Sequence, residues 1–269
     1  GTAIEGTDYA TISNITISAG ATTGSTTITP EDDNISESDE TIIVSMGTLS
    51  GASAGNGSPT SLSFTLTDDE SAPSITLTST ATSIAENSGS ALTISVASSI
   101  ASSEAIVVTL GTSGNATSGT DYTALPTTLT IPANATTATT NFTPTDDAFY
   151  DASTNETVTL TIEGVSGGGG SARESGDQSV MITITDDEVA PVVTLTSSAS
   201  SVAENGSSLT LTATLNNATH ADVTVTLSSA GADTTILSSS DYSVASSIVI
   251  VAGQTYATGI FSPIDDTSD

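Results

Sequence analysis

The stretch "TPTDDAFYDASTNETVTLTI", residues 143–162, contains the two patterns that decide how this chain folds. From Val158 onward, apolar residues alternate with threonines, which is the period-two pattern of a half-buried β-strand. Two adjacent aspartates, Asp146 and Asp147, precede this strand, and the chain of 269 residues has one arginine, Arg173, and no lysine to neutralise them. The stretch therefore predicts a strand that begins beside a concentration of negative charge.

The same imbalance of charge extends along the whole chain. It carries 31 acidic residues and a formal net charge of −30, yet only 12% of its residues are charged and 36% are hydrophobic. Such a composition predicts a folded chain and not an acidic disordered tail. Without clustered Lys and Arg, binding to nucleic acid is excluded and binding to anionic membranes is disfavoured. No apolar run reaches the ~18 residues that cross a bilayer, and no cysteine is present for disulfides or thiolate metal sites.

Three sequence motifs recur at intervals of 113 to 120 residues. The copies are "GTDYA" at 6–10, "GTDYT" at 119–123 and "SSDYS" at 239–243; "TPEDD" at 29–33, "TPTDD" at 143–147 and "SPIDD" at 262–266; "LTDDESAP" at 66–73 and "ITDDEVAP" at 184–191. An interval of this length matches one globular domain and is too long for a solenoid unit. The sequence predicts the C-terminal part of one domain at 1–72, a complete domain at 73–190 and the N-terminal part of a third at 191–269. We expect the chain to be a slice of a longer array.

Within each predicted domain the dominant period is two. Leu62, Phe64 and Leu66 alternate with hydroxyl residues, and Ile182 and Ile184 do the same. Gly, Asn, Ser and Pro separate the alternating runs, and no stretch has convincing helical periodicity. About seven short strands in roughly 118 residues predict an antiparallel β-sandwich.

The acids are concentrated where such a sandwich has its loops. Of the 31 acidic residues, 23 fall in the recurring segments, at strand ends or in loops. Two unit charges ~4 Å apart repel by ~1 kcal/mol in water and by ~4 kcal/mol at an effective dielectric constant of ~20. A hard divalent cation removes this repulsion, and ligands that are all oxygen from flexible loops match calcium. Magnesium ranks second, and zinc is disfavoured because His220 is the only histidine and cysteine is absent.

A second interpretation is that the paired acids are solvated loop charges that bind no metal. The recurrence of the same acidic pattern in register in three copies favours a metal site. We therefore predict that Ca²⁺ is the cofactor of this chain.

The order of the motifs also resembles a known family. A glutamate, then Gly-Thr-Asp-Tyr, then Asp-Asp-x-x-x-Glu and a closing Asp-Asp is similar to the Calx-beta repeat of sodium–calcium exchangers and of many large secreted or surface-anchored proteins. The resemblance spans essentially the entire chain and is closest in "DDNISESDET" at 32–41. It implies an all-β fold, with tandem seven-stranded immunoglobulin-like antiparallel β-sandwiches in an end-to-end array and calcium bound at one end of each.

The resemblance also implies which acids bind calcium. The ligands would be Asp8, Asp32, Asp33, Glu37, Asp68 and Asp69 in the first unit; Glu86, Asp121, Asp146, Asp147, Asp151, Asp186 and Asp187 in the middle unit; and Glu204, Asp241, Asp265 and Asp266 in the third. Asp151 replaces the glutamate of the family pattern and shortens its reach by one methylene. Glu40 and Glu156, at predicted strand starts, are interpreted as structural, and Tyr9, Tyr122 and Tyr242 as core residues.

The composition argues against an enzyme. With one histidine, no cysteine and no lysine, the chain has no spare pair of base and nucleophile. Paired carboxylates can hydrolyse glycosides, but an aromatic content of 3% without tryptophan leaves no surface on which a sugar would stack.

Two functional classes remain. In the first, the chain is part of a calcium-stiffened extracellular stalk or filament of a large adhesin-like or matrix protein, with neighbouring repeats and other copies as partners. In the second, a sandwich face binds a glycan or a protein and calcium is only structural. The scarcity of aromatic residues and arginine, which supply most interface hot spots, favours the first. An intracellular calcium sensor fits less well, because a near-absence of Lys and Arg removes trypsin sites and suits an extracellular or cell-surface location.

Overall fold

The structure, a computed structural model, describes residues 1–51, 54–150, 156–228 and 241–265. The first unit contains the strands β1 (Ile35–Ser36), β2 (Glu40–Ser45) and β3 (Ser61–Leu66). The middle unit contains β4 (Ser74–Ser79), β5 (Ser83–Ala85), β6 (Leu92–Ser98), β7 (Ala101–Ser102), β8 (Ile106–Gly114), β9 (Thr128–Ile131), β10 (Thr137–Phe142), β11 (Phe149–Tyr150), β12 (Glu156–Gly167), β13 (Arg173–Glu174) and β14 (Ser179–Thr185). The third unit contains β15 (Val193–Ser197), β16 (Leu209–Leu215), β17 (Ala218–Thr219), β18 (Val223–Thr226), β19 (Tyr242–Val244), β20 (Ser247–Ile250) and β21 (Tyr256–Pro263). One 3₁₀ turn, Glu86–Ser88, is the only helical element in the described ranges.

The middle unit is a sandwich of two sheets. One sheet has the strand order β10-β6-β4-β13 and the other has the order β5-β14-β12-β8-β9. Neighbouring strands are antiparallel, except that the short β13 and β5 run parallel to β4 and β14. The all-β prediction is therefore confirmed, since the described part of the chain is strands, turns and loops apart from the single 3₁₀ turn.

The core of this sandwich follows from the alternating sequence. In β6, every second residue of LTISVAS is buried, because successive side chains on a strand point to opposite faces. Ile94 and Val96 of β6 join Leu160 of β12 and Ile182 of β14 in one hydrophobic cluster, each with 0% exposure. The intervening hydroxyl residues lie on the outer faces.

Shortening Leu160 tests this core directly. We expect Leu160→Ala to destabilise the middle unit by about 2–5 kcal/mol, because it leaves a cavity in a close-packed interior. Urea unfolding followed by circular dichroism measures the loss. Thr159→Ala, on the opposite face of the same strand, serves as the control, and an equal effect of the two substitutions would contradict the observed orientation of β12.

The first and third units repeat parts of the middle one. Glu40 pairs with Leu66 between β2 and β3, as Glu156 pairs with Ile184 between β12 and β14. In the third unit β16 lies between β15 and β21, as β6 lies between β4 and β10. The rings of Tyr122 and Phe142 stack with centroids 5.1 Å apart, and those of Tyr242 and Phe261 do so at the same separation. Tyr122 is 3% exposed, which agrees with its interpretation as a core residue.

One end of the middle sandwich gathers the segments that carry the acids. Ala85 at the end of β5 pairs with Thr185 at the end of β14, and Glu156 at the start of β12 pairs with the neighbouring Ile184. The paired aspartates follow Phe142 at the end of β10 by a few residues. Among the described residues, no helix is long and apolar enough to cross a membrane.

Candidate metal centre

The same backbone hydrogen bond builds the acidic end in all three units. The acceptor is the backbone carbonyl of the aspartate in the Asp-Tyr motif. The donor is the backbone N–H of the residue directly before the Asp-Asp motif. The acceptors are Asp8, Asp121 and Asp241, and the donors are Glu31, Thr145 and Ile264, at 3.0, 2.9 and 2.8 Å. This bond brings segments that are distant in sequence side by side. In the first unit, a carboxylate oxygen of Asp8 lies within 4.8 Å of one from Glu37, which follows the aspartate pair.

The aspartate before tyrosine also stabilises its own turn. The Oδ2 atom of Asp8 accepts a hydrogen bond from the N–H of Ile4 at 2.5 Å, and Asp121 accepts one from the N–H of Thr117 at 2.5 Å. A carboxylate has two oxygens with about four acceptor sites. The turn therefore holds each carboxylate in place while leaving acceptor sites for a cation.

The first unit contains two groups of three acids. In each group, one carboxylate oxygen from each residue lies within 4.8 Å of the other two. The groups are Asp8, Glu37 and Glu40, and Asp32, Asp69 and Glu70. All six residues line one cavity of about 110 Å³, together with Asp33 and Asp68.

Burial and mutual repulsion perturb these carboxyls. Burial raises the pKa of Glu37, and the nearby charges of Asp8 and Asp33 raise it further, although a hydrogen bond from Ser103 opposes them. Burial and the neighbouring Asp8 likewise raise the pKa of Glu40. The Oε2 atom of Glu40 is buried and has no hydrogen-bond partner among the described residues. Such an oxygen is costly to ionise unless a cation neutralises it.

The middle unit has a third group, formed by Glu86, Asp187 and Glu188, whose oxygens also lie within 4.8 Å of one another. Burial raises the pKa of Glu86 to about 8, reinforced by Glu188 and then by the charges of Asp186 and Asp147. Two buried oxygens, Oε1 of Glu86 and Oε2 of Glu188, have no hydrogen-bond partner in the described ranges. The side chain of Asn87 donates a hydrogen bond to Asp187.

These groups fit calcium better than any other common metal. Every available ligand is an oxygen atom on a loop, a strand end or the 3₁₀ turn, and calcium prefers oxygen ligands. Within the described residues, the only side-chain ion pair joins His220 and Asp147, with 3.3 Å between Nε2 and Oδ2. Arg173 forms no ion pair there, so the protein supplies almost no positive charge of its own at the acidic ends.

The structure brings together most of the predicted ligands of the first two units. Asp8 and Glu37 share one group, Asp32 and Asp69 the second, and Glu86 and Asp187 the third. Asp146 and Glu86 line a neighbouring cavity of about 170 Å³. The carboxylates of Asp33 and Asp147 each accept a bond from a backbone N–H two residues on, at 2.7 Å. All of these assignments as ligands stay predictions.

Three glutamates belong to the groups although the sequence interpretation did not assign them as ligands. Glu70 and Glu188 directly follow the closing aspartate pair in "DDE" at 68–70 and 186–188, and this recurrence was the available signal. Glu40, interpreted as structural, lies with Asp8 and Glu37.

The third unit is less complete. Glu204, Asp241 and Asp265 are in no group of metal-binding size among the residues that the structure describes. Asp151 and Asp266 lie outside the described residues. The predicted ligands of this unit therefore stay predictions that rest on the sequence alone.

The perturbed pKa of Glu86 predicts a pH dependence of the metal-free chain. Folding favours the protonated form of Glu86. Its contribution to the stability of the fold is therefore full below the ordinary pKa of 4.5, and it is lost as the pH rises through the raised pKa of about 8. We expect the metal-free middle unit to melt at a higher temperature near pH ~5 than near pH ~8.5. Glu86→Gln is the control and should weaken this dependence, because the amide does not titrate. A dependence that is identical in Glu86→Gln would contradict the assignment to this carboxyl.

The chain matches one family of known proteins. A family model described as the Calx-beta domain matches residues 1–70 and 68–188. Among solved structures, the CBD12 fragment of CALX1.2 is 18% identical over 69% of this chain and 73% of its own, with a TM-score of 0.35. The apo-form Calx CBD1 domain is 18% identical over 42% of this chain and 98% of its own, with a TM-score of 0.36. A two-domain protein of unknown function from Bacteroides fragilis is 12% identical over 72% of this chain and 85% of its own, with a TM-score of 0.29. No curated protein matches significantly.

Proposed function

Because this chain belongs to the Calx-beta family, whose domains are non-catalytic calcium-binding modules, we propose that it forms a calcium-stiffened array of repeats in an extracellular stalk or filament. The observation that carries the proposal is the place of the acidic loops, which lie directly against the next unit. β1 of the first unit pairs with β7 of the middle unit, and β11 of the middle unit pairs with β17 of the third. Both β1 and β11 begin two residues after an aspartate pair.

The units of the array are the three predicted domains, 1–72, 73–190 and 191–269, each a seven-stranded immunoglobulin-like sandwich where complete, arranged end to end. The seventeen acids that the family pattern implies are the proposed calcium ligands, joined by Glu40, Glu70 and Glu188. The groups of close carboxylates in the first two units support this set.

The linkers between units are short and restricted. Six residues, Asp68 to Pro73 and Asp186 to Pro191, join the closing aspartates of one unit to the start of the next. Proline fixes its own φ and biases the residue before it toward an extended conformation. An ion held by the closing acids and by the loops of the same unit would fix the root of the linker. The array would then resist bending at each junction.

The outer faces of the middle unit support a spacing role over ligand binding. Within residues 73–190 as described, Met181 and Val189 are the only large hydrophobic side chains that are mostly exposed, at 57% and 70%. Docking surfaces usually present a contiguous apolar or aromatic patch. A near-absence of Lys and Arg, the residues that trypsin cleaves after, suits an extracellular or cell-surface location, where other copies of the chain could also associate in a filament.

Small-angle scattering tests the stiffening. We expect the chain to be elongated with a narrow range of maximum dimensions in calcium, and more variable in chelator, because each backbone residue freed at a junction regains ~1–2 kcal/mol of conformational entropy. Circular dichroism confirms that the sandwiches remain folded in both conditions. If the maximum dimension and its spread are the same in calcium and in chelator while the sandwiches stay folded, calcium does not stiffen the junctions. The proposed stalk would then have no mechanism for its stiffness.

A further inference from the structure

The two junctions between units have the same construction although their side chains differ. Ile35–Ser36 pairs in parallel with Ala101–Ser102 at the first junction, and Phe149–Tyr150 pairs in parallel with Ala218–Thr219 at the second. We call β1 and β11 the inserting strands, and we call β7 and β17, their partners in the next unit, the receiving strands. Each inserting strand has two residues and follows an aspartate pair after a single intervening residue. The sequences of the two inserting strands share no residue, so the feature common to both junctions is the pairing of the backbones.

The second aspartate of each pair forms a hydrogen bond with the backbone at this point. Oδ1 of Asp33 accepts a hydrogen bond from the N–H of Ile35 at 2.7 Å, and Oδ1 of Asp147 accepts one from the N–H of Phe149 at 2.7 Å. A side chain that bonds the backbone two residues on forms an Asx turn, which fixes the direction of the following residues. In both cases those residues are the inserting strand.

We infer that Asp33 and Asp147 are the positioning residues of the junctions, because their Asx turns aim each inserting strand at the next unit. This role is separate from the proposed binding of calcium. A carboxylate retains acceptor sites on Oδ2 when Oδ1 is used in the turn, so one residue can serve both purposes. The first aspartate of each pair, Asp32 or Asp146, forms no such turn among the described residues.

The receiving strand is also preorganised in the same way at both junctions. The carbonyl of Ser102 accepts a bond from the N–H of Asn134 at 2.7 Å, and the carbonyl of Thr219 accepts one from the N–H of Gly253 at 2.9 Å. Both donors have left-handed backbones, with φ of 62° and 78°. With the neighbouring units in place, Ser102 is 1% exposed and Thr219 is 4% exposed, so one residue of each receiving strand is buried at its junction.

Contacts specific to each junction add to this shared frame. At the first, the carbonyl of Ser36 accepts bonds from the hydroxyl of Ser102 at 3.0 Å and from the N–H of Ser103 at 3.1 Å. At the second, the ring of Phe149 packs edge-on against the imidazole of His220 at 4.8 Å, and Oδ2 of Asp147 lies 3.3 Å from its Nε2. The aspartate thus contacts the next unit as well as its own strand.

A pair of spin labels measures the order of the second junction. The chain has no cysteine, so Thr130→Cys in β9 and Thr210→Cys in β16, both exposed, would be the only labelled positions. Distance distributions between the labels are measured by double electron–electron resonance in the full chain with chelator present. We expect Asp147→Ala to broaden the distribution about twofold or more relative to the parent, because losing the turn frees the backbone dihedrals that direct β11. Asp147→Asn should not broaden it, since the amide oxygen accepts the same bond.

Three controls separate the turn from other effects. Asp146→Ala removes a neighbouring charge without touching the turn and should leave the width unchanged. Labels at Thr65 and Thr130 across the first junction should not respond to Asp147→Ala but should respond to Asp33→Ala. Thermal melting of each variant checks that the middle unit is folded. If Asp147→Ala is not folded, the corresponding variants of Asp33 provide a second test at the first junction.

Two outcomes would overturn the inference. One is a distribution in Asp147→Ala as narrow as that of the parent. The other is an Asp147→Asn distribution as broad as that of Asp147→Ala. That result would mean that the charge of Asp147 beside His220, and not the Asx turn, orders the junction. The inference rests on the proposed array but not on its calcium. Because all measurements are made in chelator, a failure of calcium binding would leave this result unaffected.

Discussion

Addition of calcium to the metal-free chain should raise the melting temperature of the middle unit by about 5–20 °C for each ion bound. With a dissociation constant of ~1–100 μM and millimolar free calcium, each ion adds ~1.5–4 kcal/mol to the free energy of unfolding by mass action. The physical source is the group of Glu86, Asp187 and Glu188, whose oxygens lie within 4.8 Å of one another. Two of its buried oxygens have no hydrogen-bond partner in the part of the chain that the structure describes. Calcium bound by these oxygens would remove the repulsion between the three carboxylates.

Differential scanning calorimetry in calcium and in chelator measures this shift. Magnesium at the same concentration is the control for ionic strength and divalent charge, and it should produce a smaller increase, because it needs tighter octahedral geometry. A melting temperature that is the same in calcium and in chelator would contradict the calcium site.

The second large effect is expected when the aspartate pair of the middle unit is neutralised. The double variant Asp146→Asn, Asp147→Asn should lose most of the calcium-dependent increase in melting temperature. The metal-free form should be no less stable than the parent, because two repelling charges are removed beside Glu86, whose pKa Asp147 helps to raise. The variant therefore separates loss of calcium binding from loss of folding.

The matched control changes two acids outside the recurring segments. Glu163→Gln with Asp177→Asn removes the same formal charge from exposed positions of the same unit. It should leave the calcium-dependent increase nearly intact. Equal losses in the two double variants would mean that the chain responds to its overall charge and has no defined site.

The fold class and the calcium chemistry were predictable because they rest on local or repeated patterns. The alternation in β12 and β14 needs only the period of a strand, and it predicted the buried Leu160 and Ile182 correctly. In β3 the same alternation did not predict burial, since Leu62 and Phe64 are 54% and 42% exposed. The recurring Asp-Asp segments and the oxygen-only ligand set predicted calcium, and the family match confirms both the resemblance and this cofactor.

The membership of the acidic groups was only partly predictable, because it depends on contacts between distant segments. Glu188 lies beside Glu86 because β14 and β5 run side by side, which brings together residues such as Asn87 and Asp187 that are 100 positions apart. Glu40 lies with Asp8 because of where β2 begins, and no local pattern distinguishes that position from an ordinary strand start.

The sequence by itself determined that this chain is all-β and binds calcium, because strand period and ligand chemistry depend on residues that are close together in the sequence. Only the tertiary structure decided which oxygens meet and that Asp33 and Asp147 turn their strands onto the next unit. The physical reason is that two-residue strands such as β1 and β11 have too few residues to show any period. Their partners lie in another unit, and their position is set by one hydrogen bond and by the packing around it.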